Sequence, residues 1–153
     1  MIESNNMKWI TREHIRVGRI GCAWLIKRFI DPAAEFYFVP GNQLRAEAER
    51  LGATLFHAEG AELARQGDIS SFEVVLEHYR LIDDPALVLL GRIVNTADIK
   101  QSPYQQPEGP GLRAIADGLT RLYSDDAALN AAGSQIYDAL YVYCQEQVRR
   151  GKA

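Results

Sequence analysis

The strongest constraint on the fold is the alternation of short β-type runs with helical patterns over the first 58 residues. The runs KWITREH at 8–14, EFYFVP at 35–40 and ATLFHA at 53–58 are rich in β-branched and aromatic residues. Between them, residues 19–31 and 43–51 have apolar side chains at helical spacing. This order predicts an α/β fold with a small parallel sheet of about three strands and right-handed crossovers.

The remaining two thirds of the chain is predicted to be helical. Ser70 stands three residues before Glu73, which is a capping box at the start of a helix. Asp84 followed by Pro85 starts a second helix, Pro110 opens a third, and a final helix begins near Ser124. Residues 98–111 carry three Pro and two Gly among polar residues, so we expect a long loop there.

Length and composition indicate one ordinary globular domain over 1–153, with residues 1–7 disordered. The chain has 47% hydrophobic and 24% charged residues, and no apolar run approaches the ~20 residues of a membrane helix. A formal net charge of −3 gives no reason to expect this domain alone to bind nucleic acid. Cys22 and Cys144 form no CxxC pair, which favours a reducing cytoplasm over a disulfide framework.

The junction between the first strand and the first helix is a candidate anion site. Arg12, Arg16 and Arg19 cluster there, beside a helix N-terminus whose free N–H groups and positive dipole end favour an anion. Chromate, sulfate or phosphate would fit such a site. The alternative is that these arginines form surface ion pairs or cover the sheet edge.

Cys22 has two interpretations. A thiol near a helix N-terminus and arginines has a lowered pKa, and could sense or reduce an oxidising anion. The same residue lies on the apolar stripe with Leu25, Ile26 and Phe29, where a free cysteine usually packs as a small hydrophobe.

A third candidate is a metal or acid–base site. His57 ends a predicted strand and Asp98 begins the long loop, where parallel α/β sheets tend to place functional groups. With Glu108 they could hold a divalent metal ion. We find no GxSxG nucleophile motif, no phosphate loop and no paired histidine motif.

Several blocks of the chain resemble one family. WITREHIRVGRIGCAWLIKRFIDP, EFYFVP, LGATLFHAEGAEL, the SSFE stretch, IVNTAD, GPGLRAI and IYDALYVYC are together similar to the C-terminal domain of the ChrB chromate-resistance regulators. The resemblance covers nearly the whole chain and implies a cytoplasmic role in the chromate response. The longer regulators carry a further N-terminal region, so we expect a stand-alone single-domain form here.

The chain also departs from that family. The resemblance implies Asp at the position of Gly18, His at that of Arg65 and often Asp at that of His57. All three are residue types that can ligate a metal. Their replacement here weakens the case for an inherited metal site.

Three functional hypotheses follow. The first is a sensing or accessory module that binds an oxyanion or a metal ion. The second is a redox or metal-dependent enzyme that acts on chromate or a related substrate, with Cys22, His57 and Asp98 as participants. The third is a homodimeric interaction module, in which the last helix pairs through Tyr137, Tyr141, Tyr143 and Val148.

Overall fold

The structure is a computed structural model that describes residues 7–152. The expected disorder of residues 1–7 therefore lies almost entirely outside the described part of the chain. The elements in chain order are β1 (Lys8–Arg12), α1 (Val17–Leu25), a π-helical turn (Ile26–Ile30), β2 (Glu35–Val39), a 3-10 turn (Gly41–Gln43), α2 (Leu44–Leu51), β3 (Thr54–Leu55), α3 (Ser71–His78), α4 (Pro85–Asp98), α5 (Gly109–Leu122) and α6 (Asp126–Arg149).

The three strands form one parallel sheet in the order β2-β1-β3, as the sequence predicts. The third strand is shorter than the expected 53–58. The Phe56 N–H still donates to Ile10 O at 3.1 Å, but His57 has a φ of 48° and its N–H donates to Leu63 O instead. The chain therefore turns out of the sheet at His57.

The two faces of the sheet are covered by different layers. Ile10 packs with Leu44 and Ala48, so that α2 covers one face. On the opposite face Trp9 and Phe56 join the main core, to which all the other α-helices contribute. Alternate residues of each strand thus point into different cores, as the two-residue period of a strand requires.

The helix boundaries follow local chemistry. The capping box of Ser70 and Glu73 is formed, and Asp84 caps α4. The first helix begins at Val17, earlier than expected, and its last part is the π-helical turn. Among residues 7–152, no helix combines the length and apolar character needed to cross a membrane.

The expected loop over 98–111 spans only 99–108, because Asp98 ends α4 and α5 already begins at Gly109. Proline in the first turn of a helix loses no hydrogen bond, so Pro110 does not prevent this start. Asn95 fixes the loop: its Oδ1 accepts from Ser102 Oγ at 2.6 Å, and its Nδ2 donates to Asp68 O at 2.7 Å.

Candidate functional site

The carboxyl ends of all three strands open into one cavity. Arg12 is the last residue of β1, Gly41 and Asn42 follow β2, and Glu59 follows β3. Because β1 connects to one neighbour and β3 arrives on its other side, this is a topological switch point, where α/β sheets leave a crevice for ligands. The cavity has a volume of about 450 Å³, and we call it the arginine cavity.

Three arginines from three different elements line the arginine cavity: Arg12 of β1, Arg19 of α1 and Arg45 of α2. Among the described residues around it, Glu59 is the only acidic one. The lining of the cavity therefore has an excess of positive charge, with Arg19 half-buried and Arg12 and Arg45 exposed.

Neutral groups hold two of these guanidinium groups in place. Arg19 donates from Nε to Thr11 Oγ1 at 3.3 Å and from a terminal nitrogen to the carbonyl of His57 at 3.2 Å. Arg45 donates to the carbonyl of Glu59 at 3.0 Å. Burial, and next the charge of Arg12, lowers the pKa of Arg19. These contacts orient the two guanidinium groups through neutral acceptors, and the opposite charge that acts on Arg19 is that of Asp98.

The structure separates Arg16 from the other two predicted arginines. Its guanidinium lies 3.6 Å from the carboxylate of Asp117 on α5, and it lines a different cavity. The N–H groups of His14 and Ile15 donate to the two carboxylate oxygens of Asp126, each at 3.0 Å. A carboxylate of the chain itself therefore lies at the approach to α1, where the sequence predicts an external anion.

His57 and Asp98 lie next to each other around Gly18. A β-carbon on Gly18 would be 2.2 Å from His57 Cε1 and 2.7 Å from Asp98 Oδ2. Only glycine leaves enough space at residue 18 for this arrangement. His57 also lines a second cavity of about 360 Å³, which we call the Ser71 cavity; it is lined by Arg19, His57, Ala58, Glu59, Gly60, Ala64, Arg65, Gly67 and Ser71.

Burial perturbs both titratable groups beside Gly18. Burial and, to a smaller extent, the charge of Arg19 lower the pKa of His57 to about 3. A hydrogen bond to the backbone of Gly18 acts in the opposite direction. Burial raises the pKa of Asp98, while Arg19, Arg65 and Arg113 act in the opposite direction. His57 is consequently uncharged at neutral pH.

The predicted metal residues do not all come together. The carboxylate of Glu108 accepts a hydrogen bond from the Tyr143 hydroxyl on α6. Within residues 7–152, no group of three or more His, Cys, Asp or Glu side chains could hold a metal ion. The metal role of His57 and Asp98 stays a prediction, with two potential ligands in place and without Glu108 as the third.

Cys22 is fully buried in the main core. Burial, and next the charge of Asp98, raises the pKa of its thiol well above the ordinary range. Cys144 on α6 is also a buried free thiol, and burial raises its pKa to about 12. The geometry of Cys22 thus matches the packing interpretation, because a reactive cysteine needs access and thiolate character.

Sequence reasoning missed Arg45 and Ser71 as site residues. Nothing in the sequence pattern around Arg45 indicates a binding residue. Its position could have done so, because it lies in the first turn of the helix that follows β2, at the edge where the strands end. The three positions at which the resemblance implies ligand-type residues also converge, since Gly18 touches His57 and Arg65 lines the same cavity as His57.

Fold and site together define an α/β domain with an arginine-lined cavity at the carboxyl ends of a three-stranded parallel sheet. A model of the family described as "ChrB, C-terminal domain" matches residues 9–144. The chain is 36% identical over 144 residues to Protein ChrB of Cupriavidus metallidurans. This match covers 94% of the chain and 42% of that relative, so the chain spans less than half of the relative's length. The chain belongs to the ChrB C-terminal domain family of chromate-resistance proteins. No solved structure matches it.

Proposed function

We propose that this domain is an oxyanion-binding module of the chromate response, which acts in the cytoplasm as a sensing or accessory unit. The observation that carries the proposal is the meeting of Arg12, Arg19 and Arg45 in the arginine cavity. Membership in a chromate-resistance family supplies the biological setting. The two buried free thiols are compatible with a reducing compartment.

The chemistry of the cavity favours a tetrahedral dianion over a cation. Guanidinium groups present several N–H donors in a plane and bind oxyanions through paired hydrogen bonds. Asn42 contributes a side-chain amide at the same wall, and such an amide can donate two further hydrogen bonds. The lining holds three guanidinium groups against one carboxylate, so its charge favours an anion.

The cavity is also built in advance of binding. The Arg19 and Arg45 guanidinium groups each donate a hydrogen bond to a carbonyl oxygen. The Arg12 side chain packs against Gly41, where a β-carbon would lie 3.1 Å from Arg12 Cδ. Side chains held in this way lose less entropy when a ligand binds. A sensor needs this preorganisation because a small ion makes few contacts. Its binding free energy must shift the conformation of the protein, and little of it can be used to order the site.

The enzyme hypothesis has weaker support. A reductase that uses Cys22 needs a reachable thiolate, whereas Cys22 is completely buried and its pKa is raised. The homodimer hypothesis loses two of its four residues, because Tyr137 and Tyr141 are buried inside the domain. The Tyr137 hydroxyl donates to the carbonyl of Val17 at 2.7 Å.

Calorimetric titration with sodium sulfate, chromate and phosphate at constant ionic strength tests the proposal. We expect saturable binding of at least one of these anions by the wild-type domain, and at least a tenfold loss of affinity in Arg45→Gln, about the effect of one charge-assisted pair. Arg121→Gln is the matched control, since Arg121 is exposed on α5 and lines neither cavity.

The control separates a specific site from general charge. Both variants remove one positive charge, so a general electrostatic attraction would fall equally in the two. Equal affinities of Arg45→Gln and Arg121→Gln, or no saturable binding by the wild-type domain, would refute the proposal.

A further inference from the structure

The Ser71 cavity contains a polar atom that the fold leaves without a partner. Ser71 is 1% exposed, and its hydroxyl oxygen has no hydrogen-bond partner within residues 7–152. His57, a second residue of the same cavity, instead hydrogen-bonds to the backbone of Gly18. Buried polar groups are nearly always satisfied, so the exception at Ser71 indicates an external partner.

The position of Ser71 gives the sign of that partner. Ser71 is the first residue of α3, where helical N–H groups and the positive end of the helix dipole meet. The capping box uses the side chain of Ser70 and that of Glu73. It leaves the hydroxyl of Ser71 free to donate at this helix N-terminus, because the Glu73 carboxylate in the first turn accepts from the N–H and the hydroxyl of Ser70.

The charged groups around the cavity agree with this sign. Arg19 and Arg65 contribute two guanidinium groups, against Glu59 as the one acid among the described lining residues. Behind this lining, both guanidinium groups also act on the buried carboxyl group of Asp98, whose pKa burial raises. Arg65 donates from Nε to the carbonyl of Gly67 at 2.7 Å, which orients it while leaving its charge in place. His57 is neutral and can complete the set as a donor or an acceptor.

The Ser71 cavity and the arginine cavity share part of their walls. Arg19, Ala58 and Glu59 line both of them. The Arg19 guanidinium therefore belongs to the wall of two cavities that each favour an oxyanion. Two separate dianions would repel each other across Arg19, whereas one ligand with two linked oxyanion groups would use both cavities at once.

We propose that the Ser71 cavity is a second oxyanion subsite, so that the domain takes a ligand with two linked tetrahedral groups of the diphosphate type. One group lies among Arg12, Arg19 and Arg45, and the other among Arg19, Arg65 and Ser71. This inference rests on the proposed function, because it extends the ligand of the arginine cavity rather than replacing it.

Titration with orthophosphate and with inorganic pyrophosphate in metal-free buffer at constant ionic strength tests the second subsite. The wild-type domain is expected to bind pyrophosphate about tenfold or more tightly than orthophosphate. Arg65→Gln and Ser71→Ala should each remove most of this preference while leaving the affinity for orthophosphate within about twofold. Arg45→Gln should weaken both anions, and Arg121→Gln should weaken neither.

The outcomes separate the two proposals. Equal affinities for the two anions, or a preference that survives Arg65→Gln, overturn the second subsite alone if orthophosphate still depends on Arg45. Failure of both anions to bind overturns both proposals. The Ser71 hydroxyl makes no hydrogen bond in the fold, so Ser71→Ala is expected to fold normally, and an unchanged circular dichroism melting curve of the variant checks this.

Discussion

The two ends of the first helical segment use arginine in opposite ways. At its beginning, Arg19 shares a cavity with Arg12 and Arg45, with neutral groups as hydrogen-bond partners. At its π-helical end, Arg28 pairs with Asp138 at 2.5 Å and lies over the rings of an aromatic cluster made of Trp24, Phe29 and Tyr141, 5.5 to 5.8 Å from their centroids.

The difference distinguishes a structural arginine from a binding arginine. Around Arg28 the charged and polar groups are paired. Asp138 forms the ion pair with Arg28 and also accepts a hydrogen bond from Trp24 Nε1 at 2.9 Å. Around Arg19 the like charge of Arg12 acts more strongly than the opposite charge of Asp98, and the hydroxyl of Ser71 is unpartnered. A fold retains such uncompensated groups at a cost in stability, and this cost is typical of functional sites.

The largest expected effect is in the aromatic cluster. Trp24 is 2% exposed and contacts Phe29, Tyr137 and Tyr141. Trp24→Ala should lower the free energy of unfolding by about 3 to 5 kcal/mol, because it removes a large buried side chain and leaves a cavity. Urea denaturation measures this, with Trp24→Phe as a milder control. A loss below about 1 kcal/mol would show that the cluster is not structural.

The next effect is at Gly18. Gly18→Ala puts a methyl group 2.2 Å from His57, and we expect a loss of about 1 to 3 kcal/mol in stability. In a His57→Gly background the same substitution should cost clearly less, because only the approach to Asp98 Oδ2 at 2.7 Å remains. The matched control is Gly118→Ala on α5, where a β-carbon meets nothing within 4 Å; there alanine should stabilise by about 0.5 to 1 kcal/mol. Equal effects at both glycines would contradict the close contact.

The pH dependence of stability tests the burial of His57. Its pKa is about 3 in the folded protein against an ordinary value of 6.5 for histidine, so the unfolded state binds more protons between these pH values. Stability should therefore fall as pH decreases below 6.5, by up to about 1.4 kcal/mol per pH unit. The raised pKa of Asp98 acts in the opposite direction, so the wild type is compared with His57→Asn.

Asparagine suits this comparison because it tolerates the left-handed backbone of His57. The variant should show a shallower loss of stability between pH 6 and pH 4 in urea titrations. Parallel curves for the two proteins would mean that His57 is protonated in the folded state.

The smallest effect contrasts two single arginines. Arg12→Gln should stabilise the domain by about 0.5 kcal/mol, because it removes a like charge from beside Arg19. Arg28→Gln should destabilise it by about 1 kcal/mol, because Arg28 loses Asp138 and the aromatic faces. Urea denaturation at low salt measures both. If both substitutions change the free energy of unfolding in the same direction, the distinction between the two ends of the first helical segment is wrong.

The sequence predicts the fold well where the pattern is local. The order of strands and helices, the capping box at Ser70 and the proline start of α4 depend on near neighbours in sequence, and the structure contains them. The predicted length of β3 was wrong. The chain leaves the sheet in a left-handed turn at His57, and this turn depends on a hydrogen bond to Leu63. The π-helical turn after Leu25 has no local signal either.

The candidate site was harder to predict because it depends on which elements meet. Arg12 and Arg19 were predicted together, but Arg45 joins them only through the crossover that brings α2 against β1. Arg16 was predicted with them, yet its guanidinium lies 3.6 Å from Asp117 on α5. The place of Glu108 depends on how α5 packs against α6, which sequence spacing does not reveal.

The most direct test of the arginine cavity is the coupling of anion binding to stability. Urea unfolding is measured for the wild type, Arg45→Gln and Arg121→Gln, with and without sulfate at about 100 times its dissociation constant. Binding to the folded state alone should stabilise the wild type and Arg121→Gln by about 2.7 kcal/mol. Sulfate also stabilises proteins generally by exclusion from their surface, so the difference between variants is decisive. A clearly smaller gain in Arg45→Gln is the predicted result, and an equal gain in all three proteins would contradict an oxyanion site in this cavity.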